Sequence, residues 1–374
     1  MGKTLLVLWP SGTWERTPDR VPEMHVRLER GPLDSRTLQQ VSLLYGRFNP
    51  KYRDVTFCEH LFSAGPQGPA YHALLEVGEQ VVGHYAIIPL LATVDGRHVR
   101  GGKGEAFVIH DDHRTGTVEM ASGRSIQAGV ALPLLLYEFT LNDGLQVVHM
   151  LADRDVGMIH RLAGCRPVQK RAARGKLTLD RGAPTKALHR LGGSGQRFYT
   201  SLATSMVGRG DFVARPVDTL ARSDRARIVE DLQVRTGWSL LIDADTLDWM
   251  AGSGMLWLHS RSDRMDDYAI ACERAAQGRT TELVFFRLRS RALRSAAQLL
   301  ASVIDRARQA GAAEVLCSDA AAAGTSDQID LARARNYLGL ASRDQAITLL
   351  IRSPHARYFD PQQLHYTPLF HAIF

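Results

Sequence analysis

The feature that most constrains this 374-residue chain is a strand, a turn and an apolar helix between Glu105 and Gly144. Residues 130–141 are apolar almost all round, and a helix of that kind is buried on every side. Gly144 ends the helix, because glycine adopts the left-handed conformation that closes many helices. Strand-like residues 105–110 and 145–151 flank it. This order of strand, helix and strand predicts a buried parallel crossover.

Two alternating, β-rich stretches come before this crossover. Tyr71–Val77 and Val81–Val94 are separated by a Gly-Glu-Gln turn, and Asp95-Gly96 is a hairpin signal that starts the return strand. Pro89 interrupts the longer stretch, which predicts a bulge or an unpaired edge position there. Three antiparallel strands therefore lead into the turn at Asp111 to Arg114.

A later part of the chain repeats the order strand, strand, helix, strand, helix, strand. The predicted elements lie at residues 268–272, 282–288, 293–310, 314–317, 328–337 and 345–351. Helices and strands alternate within one sheet in both parts. We therefore predict an α+β fold in two copies, each a mixed, mostly antiparallel sheet flanked by helices. The second copy has no glycine in its turn, Arg289 to Ser295, and is expected to have lost cofactor binding.

The domain boundaries are predicted from composition. Residues 1–35 carry four prolines and are expected to be an irregular lead-in, with Ser35 capping the helix that follows. The first domain is predicted at 36–180, a linker at 181–209, the second domain at 210–355 and an aromatic tail at 356–374. Residues 166–190 hold eight Lys or Arg against one acid. A strand is expected to start near Pro167, and the stretch as a whole is expected to form a surface connector, or alternatively to contact an anionic surface.

Composition limits the class of protein and of partner. Hydrophobic residues make up 45% and charged residues 23%, which is the balance of a folded protein. The net charge of +7 suits an anionic partner, either a phosphorylated cofactor, a nucleic acid or an anionic membrane. Four scattered cysteines indicate neither a zinc site nor a disulfide scaffold, and reduced thiols fit the cytoplasm. The short apolar stretches favour a protein that is soluble, or peripheral at the inner face of the membrane.

Several stretches carry a resemblance to a known family. The segment from Tyr71 to Arg114, "YHALLEVGEQVVGHYAIIPLLATVDGRHVRGGKGEAFVIHDDHR", resembles the hairpin and fourth strand of the Gcn5-related N-acyltransferases, the GNAT superfamily. "ALPLLLYEFTLNDGLQVVHMLADRD" resembles the family's next helix and fifth strand, and "VGMIHRLAGCRPV" its last helix. The likeness covers residues 40–175, with a weaker echo at 210–352. The usual glycine spacing of the family is altered. Arg114 is followed by Gly116 two residues later, and about a dozen residues then separate Gly116 from Gly129.

The resemblance implies an acyl-CoA whose pyrophosphate lies at a helix N-terminus and whose acyl arm lies between the splayed fourth and fifth strands. The residues implied in cofactor binding are Ile109, His110, Arg114, Thr115, Gly116, Gly123, Arg124 and Gly129. The implied catalytic residues are Glu105 as base, His160 in place of the family's tyrosine acid, and His149. Glu105 paired with a nearby Lys or Arg, and His160 as an ordinary helix histidine, are the alternatives. No metal site is predicted.

The implied activity is acyl transfer from a CoA thioester to a primary amine. A narrower expectation is a long-chain acyl group and a sphingoid-base-like lipid amine, as in bacterial ceramide synthases of the superfamily. The alternatives are acetylation of a sugar or peptide amine, aminoacyl transfer from transfer RNA, and acyl-CoA sensing without catalysis. The expected acceptor is a small-molecule or lipid amine, with peripheral membrane contact, and a nucleic acid partner is not favoured.

Overall fold

The computed structural model describes residues 5–7, 24–120, 122–151, 154–179, 200–233, 237–262, 265–274, 280–318, 321–322, 325–360, 362 and 364. Contacts divide the chain into two units. Unit 1 takes the described parts of residues 1–169, 234–241 and 348–365, and unit 2 takes those of 170–233 and 242–347. Each unit is built from separate stretches of the chain, whereas each predicted domain is one continuous stretch. The predicted linker lies mostly outside the described residues.

The strands in chain order are β1 Leu5–Val7, β2 Met24–Arg30, β3 Tyr71–Val77, β4 Gln80–Val94, β5 Arg97–Ile109, β6 Thr117–Glu119, β7 Ser125–Gln127, β8 Val147–Leu151, β9 Arg166–Thr178, β10 Phe212–Pro216, β11 Trp238–Leu240, β12 Leu256–Arg261, β13 Asp267–Arg274, β14 Thr280–Leu288, β15 Glu314–Ser318 and β16 Ala341–Arg352. The helices are α1 Ser35–Gly46, α2 Val55–Ser63, α3 Ala128–Asn142, α4 Arg154–Leu162, α5 at 200–207, α6 Arg222–Leu232, α7 Ala244–Ala251, α8 Leu293–Gln309 and α9 Thr325–Tyr337.

The sheet of unit 1 runs in the order β1-β2-β3-β4-β5-β8, and the end of β16 pairs with the far edge of β8. Its strands up to β5 are antiparallel, and β5 and β8 are parallel. Helix α3 makes the crossover between them and is packed into the core, where Leu132 and Leu136 are fully buried. Burial of each such side chain contributes about 1.5–3 kcal/mol. The predicted buried crossover is confirmed.

The sheet of unit 2 has the order β9-β15-β14-β13-β12-β10. Helix α8 connects β14 to β15, which are parallel, so unit 2 repeats the strand-helix-strand crossover. Residues Ala296, Leu299, Leu300 and Val303 put one face of α8 into the core of this unit. The prediction of an α+β fold in two copies is confirmed by this repeat.

Pro89 occupies the position that the sequence predicted. It lies opposite Gly102 on β5, while on its other side the pairing with β3 stops at Ile87 and the pairing with β11 starts at Ala92. The missing N–H of proline therefore faces a gap in the pairing, where a ladder hydrogen bond is not required.

Several expectations were wrong. Residues 24–30, expected to be irregular, form β2 and pair with β3, and Asp34 rather than Ser35 caps α1. The strand expected to start near Pro167 is β9, but residues 166–178, also expected to form a surface connector, lie within the sheet, where β9 pairs with β15. The residues between Gly116 and Gly129, expected to be a turn, contain the hairpin of β6 and β7.

Of the aromatic tail, Tyr358 and Leu364 are buried in unit 1, and its residues 365–374 lie outside the described residues. Among the described residues, no helix combines the length and hydropathy that crossing a bilayer requires.

Candidate active site

The centre of unit 1 contains an opening between two parallel strands. Backbone pairing of β5 with β8 extends from Gly101 opposite Val147 only to Lys103 opposite His149. Beyond this pair the strands part, and residues 104–107 are half-buried although they lie within a sheet. We call residues 104–107 of β5 and 149–151 of β8 the β5/β8 cleft. An opening of this kind leaves strand edges available to a ligand.

A β-bulge lies in the same stretch of β5. His84 on β4 pairs with Val108, whereas Ala86 pairs with Glu105, so Ala106 and Phe107 together face a single residue, Tyr85. Ala106 has φ of 55°, a left-handed conformation that is unfavourable for any residue except glycine. A bulge bends the strand and disrupts the ladder locally. The cleft therefore begins where β5 is both unpaired and conformationally strained.

Glu105 lies on the face of the sheet that is covered by α1 and the 3-10 turn at Pro50–Arg53. Its carboxylate is 2.8 Å from the ammonium of Lys103, and both side chains are at most 10% exposed. The hydroxyl of Tyr52 donates to the second carboxylate oxygen over 3.3 Å. The expected alternative, a glutamate paired with a nearby cation, describes this contact. The pair also satisfies the general requirement that a buried carboxylate has a charge partner.

His149 lies beside this pair, since it is opposite Lys103 in the β5–β8 register. Burial, followed by the nearby ammonium of Lys103, lowers the pKa of His149 to about 3. Its imidazole is therefore neutral at pH 7. The structure brings two of the predicted catalytic residues, Glu105 and His149, to one side of the cleft.

His160 lies on the opposite face of the sheet, on α4. Its Nδ1 is 2.7 Å from the hydroxyl of Tyr137, which is 3.1 Å from the hydroxyl of Tyr85. Burial lowers the pKa of His160 to about 4, so its ring is neutral at pH 7, and burial raises the pKa of both tyrosines well above 10. Tyr85, Tyr137 and the neutral ring of His160 therefore form one buried chain of hydrogen-bonded groups, in which Tyr137 contacts both of the others.

Gly104 is what allows this tyrosine cluster to approach β5. A Cβ on Gly104 would lie 2.2 Å from the hydroxyl oxygen of Tyr85 and 2.8 Å from Cε of Met150. The thioether of Met150 is 3.4 Å from the hydroxyl of Tyr137 and 3.6 Å from that of Tyr85. Neither Tyr85 nor Tyr137 was predicted from the sequence, because each looks like a core aromatic in its own element.

The predicted cofactor residues lie around the β5–α3 junction. Ile109 is buried at the end of β5, and His110 caps the 3-10 turn that follows it. Gly123 has φ of 75° in the β6–β7 turn, with the exposed Arg124 next to it. Gly116 lies beneath Met24, whose methyl carbon would be 2.6 Å from an added Cβ. Thr115 precedes Gly116, and Gly129 lies in the first turn of α3.

This junction differs in charge from a simple phosphate cradle. The guanidinium of Arg114 is 2.8 Å from Asp111, and Asp112 and Glu119 are also nearby in sequence. The start of α3 has no side-chain cap, and the N–H of Ala128 donates to the carbonyl of Gly116. A helix start of this kind leaves the next backbone N–H groups available to an anion. Gly129 is half-buried, and a Cβ added there would make ordinary van der Waals contacts with Ile109 and Ile159, at 3.8 Å.

The corresponding turn of unit 2 has its own carboxylates at the backbone donors. Asp327, which is fully buried, accepts the N–H of Leu288 at 3.2 Å and the guanidinium of Arg291 at 2.9 Å. Asp267 accepts the N–H of Ser290 at 2.8 Å. These carboxylates take up the donors that an external phosphate would otherwise use. Within the described residues, no group of three or more His, Cys, Asp and Glu side chains is arranged to hold a metal ion.

Comparison with known proteins gives structural matches only. No family model and no curated protein sequence matches the chain. N-myristoyltransferase of Saccharomyces cerevisiae with bound myristoyl-CoA is similar in structure, with a TM-score of 0.58, 11% identity, and coverage of 94% of this chain and 84% of that one. A tandem GNAT protein from the clavulanic acid biosynthesis pathway has a TM-score of 0.50 and 12% identity, with coverage of 87% and 98%. The chain therefore has the tandem GNAT fold, as the sequence predicted.

Proposed function

We propose that the chain transfers an acyl group from a CoA thioester to a primary amine, at the β5/β8 cleft of unit 1. The observation that carries this proposal is the half-buried stretch 104–107, which opens between two parallel strands and has polar groups on both faces of the sheet. The N-myristoyltransferase that shares the fold holds myristoyl-CoA. That ligand supports a thioester as the donor here.

The two sides of the cleft suit the two halves of an acyl transfer. Glu105 lies on the α1 side and the Tyr137–His160 pair on the α3 and α4 side. An amine that attacks from the first side loses its proton to Glu105, while the thiolate leaves toward the second side. Proton acceptance by a positioned carboxylate contributes about 10²–10⁴-fold to such reactions.

We assign the proton donor for the leaving thiolate to Tyr137 rather than to an imidazolium of His160. Because burial lowers the pKa of His160 to about 4, its ring is neutral and is not an imidazolium at pH 7, whereas Tyr137 keeps its phenol proton. His160 orients the hydroxyl of Tyr137 through the 2.7 Å contact with its Nδ1. His149, which is neutral, lies next to Lys103 on the same side of the cleft as the proposed base Glu105.

The finer proposal is a long-chain acyl donor and a lipid amine of the sphingoid-base type. Its support is the similarity in fold to a protein that binds a long acyl chain, together with the net charge of +7, which favours an anionic membrane surface. Relative rates with palmitoyl-CoA and acetyl-CoA test this part separately. A preference for acetyl-CoA with sugar or peptide amines would contradict the proposed lipid substrates but not the proposed acyl transfer.

A second candidate function is acyl-CoA binding without transfer. The contact that favours it is the Lys103–Glu105 ion pair, in which an ammonium 2.8 Å away competes with an incoming amine for the carboxylate. Tight binding of CoA without thiol release, for any amine offered, would support this second function.

The test measures free thiol released from acetyl-CoA and palmitoyl-CoA with a panel of primary amines. We expect amine-dependent release by the wild type, and a loss of about 10²-fold or more in Glu105→Gln with CoA binding retained. The matched control is Glu79→Gln, because Glu79 is an exposed glutamate of the same unit whose carboxylate pairs with Arg36 at the surface. Equal rates for Glu105→Gln and the wild type would remove Glu105 from the mechanism.

A further inference from the structure

The strained bulge of β5 is held by a hydroxyl from α1. The hydroxyl of Tyr45 makes a short contact with the carbonyl of Ala106, and it is 3.1 Å from the carbonyl of His84 on the neighbouring strand. Tyr45 is buried and belongs to α1, which lies on the Glu105 face of the sheet. One side chain thus joins both strands at the point where the ladder between them is disrupted.

Two buried histidines continue from this hydroxyl. Nδ1 of His84 is 2.9 Å from the oxygen of Tyr45, and Nε2 of His84 is 3.0 Å from Nδ1 of His72. Both rings are fully buried, and they are stacked with their centroids 5.2 Å apart. We call Tyr45, His84 and His72 the hydroxyl chain.

Donor counting gives the direction of the hydrogen bonds. Tyr45 has a single proton, and the carbonyls of Ala106 and His84 can only accept, so this proton goes to a carbonyl and not to Nδ1 of His84. His84 must then carry its proton on Nδ1 and donate it to Tyr45, which leaves Nε2 to accept from Nδ1 of His72. Burial lowers the pKa of His72 to about 3 and that of His84 well below 6.5, which keeps both rings neutral. All three bonds therefore point toward the bulge, and bonds aligned in this way strengthen one another.

We propose that Tyr45 is a positioning residue for acyl transfer, and that the hydroxyl chain holds the Ala106 bulge in its left-handed conformation. Since Glu105 directly precedes Ala106, the hydroxyl chain sets where the carboxylate and the cleft backbone lie. This inference rests on the proposed function for its catalytic part. Its structural part, support of the bulge, stands independently.

The first experiment does not depend on enzymatic activity. Hydrogen exchange of the backbone amides at residues 105–109 is measured in the wild type, in Tyr45→Phe and in Tyr358→Phe, a control that removes the hydroxyl of another buried tyrosine of unit 1, bonded to Gln146. We expect faster exchange in Tyr45→Phe alone. Unchanged exchange there would overturn the proposal. If Tyr45→Phe does not fold, His72→Phe removes only the outer donor and is expected to change exchange in the same peptide.

The second experiment separates positioning from a general loss of structure. Tyr45→Phe is expected to lower kcat by about 10²-fold while the KM for acyl-CoA changes little, because misplacement of a catalytic group by about 1 Å has an effect of that size. Ala106→Gly removes the strain, since glycine adopts positive φ freely. Tyr45→Phe/Ala106→Gly should therefore regain activity, and a double variant no better than Tyr45→Phe would overturn the positioning role.

The two experiments distinguish the possible failures. A wild type that releases no thiol with any amine rejects the proposed function, and the exchange data then still decide whether Tyr45 holds the bulge. An active wild type with unaltered kinetics in Tyr45→Phe rejects the positioning role and leaves the transferase intact.

Discussion

At the scale of single residues, burial keeps several histidines uncharged. The pKa is lowered to about 3 for His72, His149 and His259 and to about 4 for His160, in each case mainly by desolvation. The unfolded chain binds protons at these sites below pH 6.5, whereas the folded chain binds none until the pH is much lower. Their contribution to stability is therefore complete above pH 6.5 and is lost as the pH falls.

We accordingly expect the thermal midpoint to decrease between pH 7 and pH 4.5. Each buried histidine contributes up to about 1.4 kcal/mol per pH unit in that window. In His259→Gln, which removes one such group from unit 2, the decrease for that unit should be shallower than in the wild type. A midpoint that stays constant down to pH 4.5 would show that these rings protonate in the folded state.

Gly104 provides a steric test at the same scale. Gly104→Ala places a methyl group against the hydroxyl of Tyr85, so we expect a loss of about 1–3 kcal/mol in the free energy of unfolding and a displaced Tyr85–Tyr137 contact. Gly157→Ala is the control, because its Cβ would have no atom closer than 3.6 Å and it lies inside α4. That variant should be stabilised by up to about 1 kcal/mol, as glycine is unfavourable within a helix. Denaturant titration of both variants measures the difference, and equal stabilities would contradict the steric argument.

At the scale of elements, predictions succeeded where the pattern was local. β3 and β4 were predicted to within one residue of their observed bounds, since alternation and turn residues define a hairpin. β9 was predicted only by its start near Pro167, because its sequence is rich in Lys and Arg and its pairing with β15 joins residues more than a hundred positions apart. β2 was missed for a related reason. Prolines surround it in the sequence, and its partner β3 follows only after α1 and α2.

The turn between β14 and α8 yields a prediction about an element. Asp327 accepts the buried N–H of Leu288 and the guanidinium groups of Arg287 and Arg291, so Asp327→Ala leaves that N–H without its acceptor and removes one carboxylate partner from each arginine. A buried donor left unsatisfied costs about 1–3 kcal/mol. We expect formate to restore the thermal midpoint of Asp327→Ala more than chloride does at equal ionic strength. Asp248→Ala, which removes an exposed partner of Arg225, is the control and should show no formate effect. An equal response to the two salts would contradict the account.

At the scale of the molecule, the two units share a fold but differ at the strand-to-helix junction. In unit 1 the start of α3 has no side-chain cap, whereas in unit 2 Asp327 and Asp267 accept the backbone N–H groups of the corresponding turn. We therefore expect one molecule of CoA to bind per chain, as measured by isothermal titration calorimetry. Two equivalent sites per chain would contradict this expectation.

The sequence predicted the fold of the whole molecule better than it predicted the grouping of the candidate site. Glu105 and His149 lie together because parallel strands are in register, which no local pattern reveals. His160 lies on the other face with Tyr85 and Tyr137, residues from three different elements that only the tertiary structure brings together. The assignments of catalytic and cofactor residues stay predictions until they are measured.

The central claim is that the donor thioester binds in the β5/β8 cleft of unit 1. It is tested most directly by hydrogen exchange of the full chain, with and without CoA or a thioether analogue of acetyl-CoA. We expect slower exchange at residues 104–107, 129–130 and 149–151, and no change at 288–294. Protection at 288–294 with none in the cleft, or no protection anywhere at saturating ligand, would contradict the account.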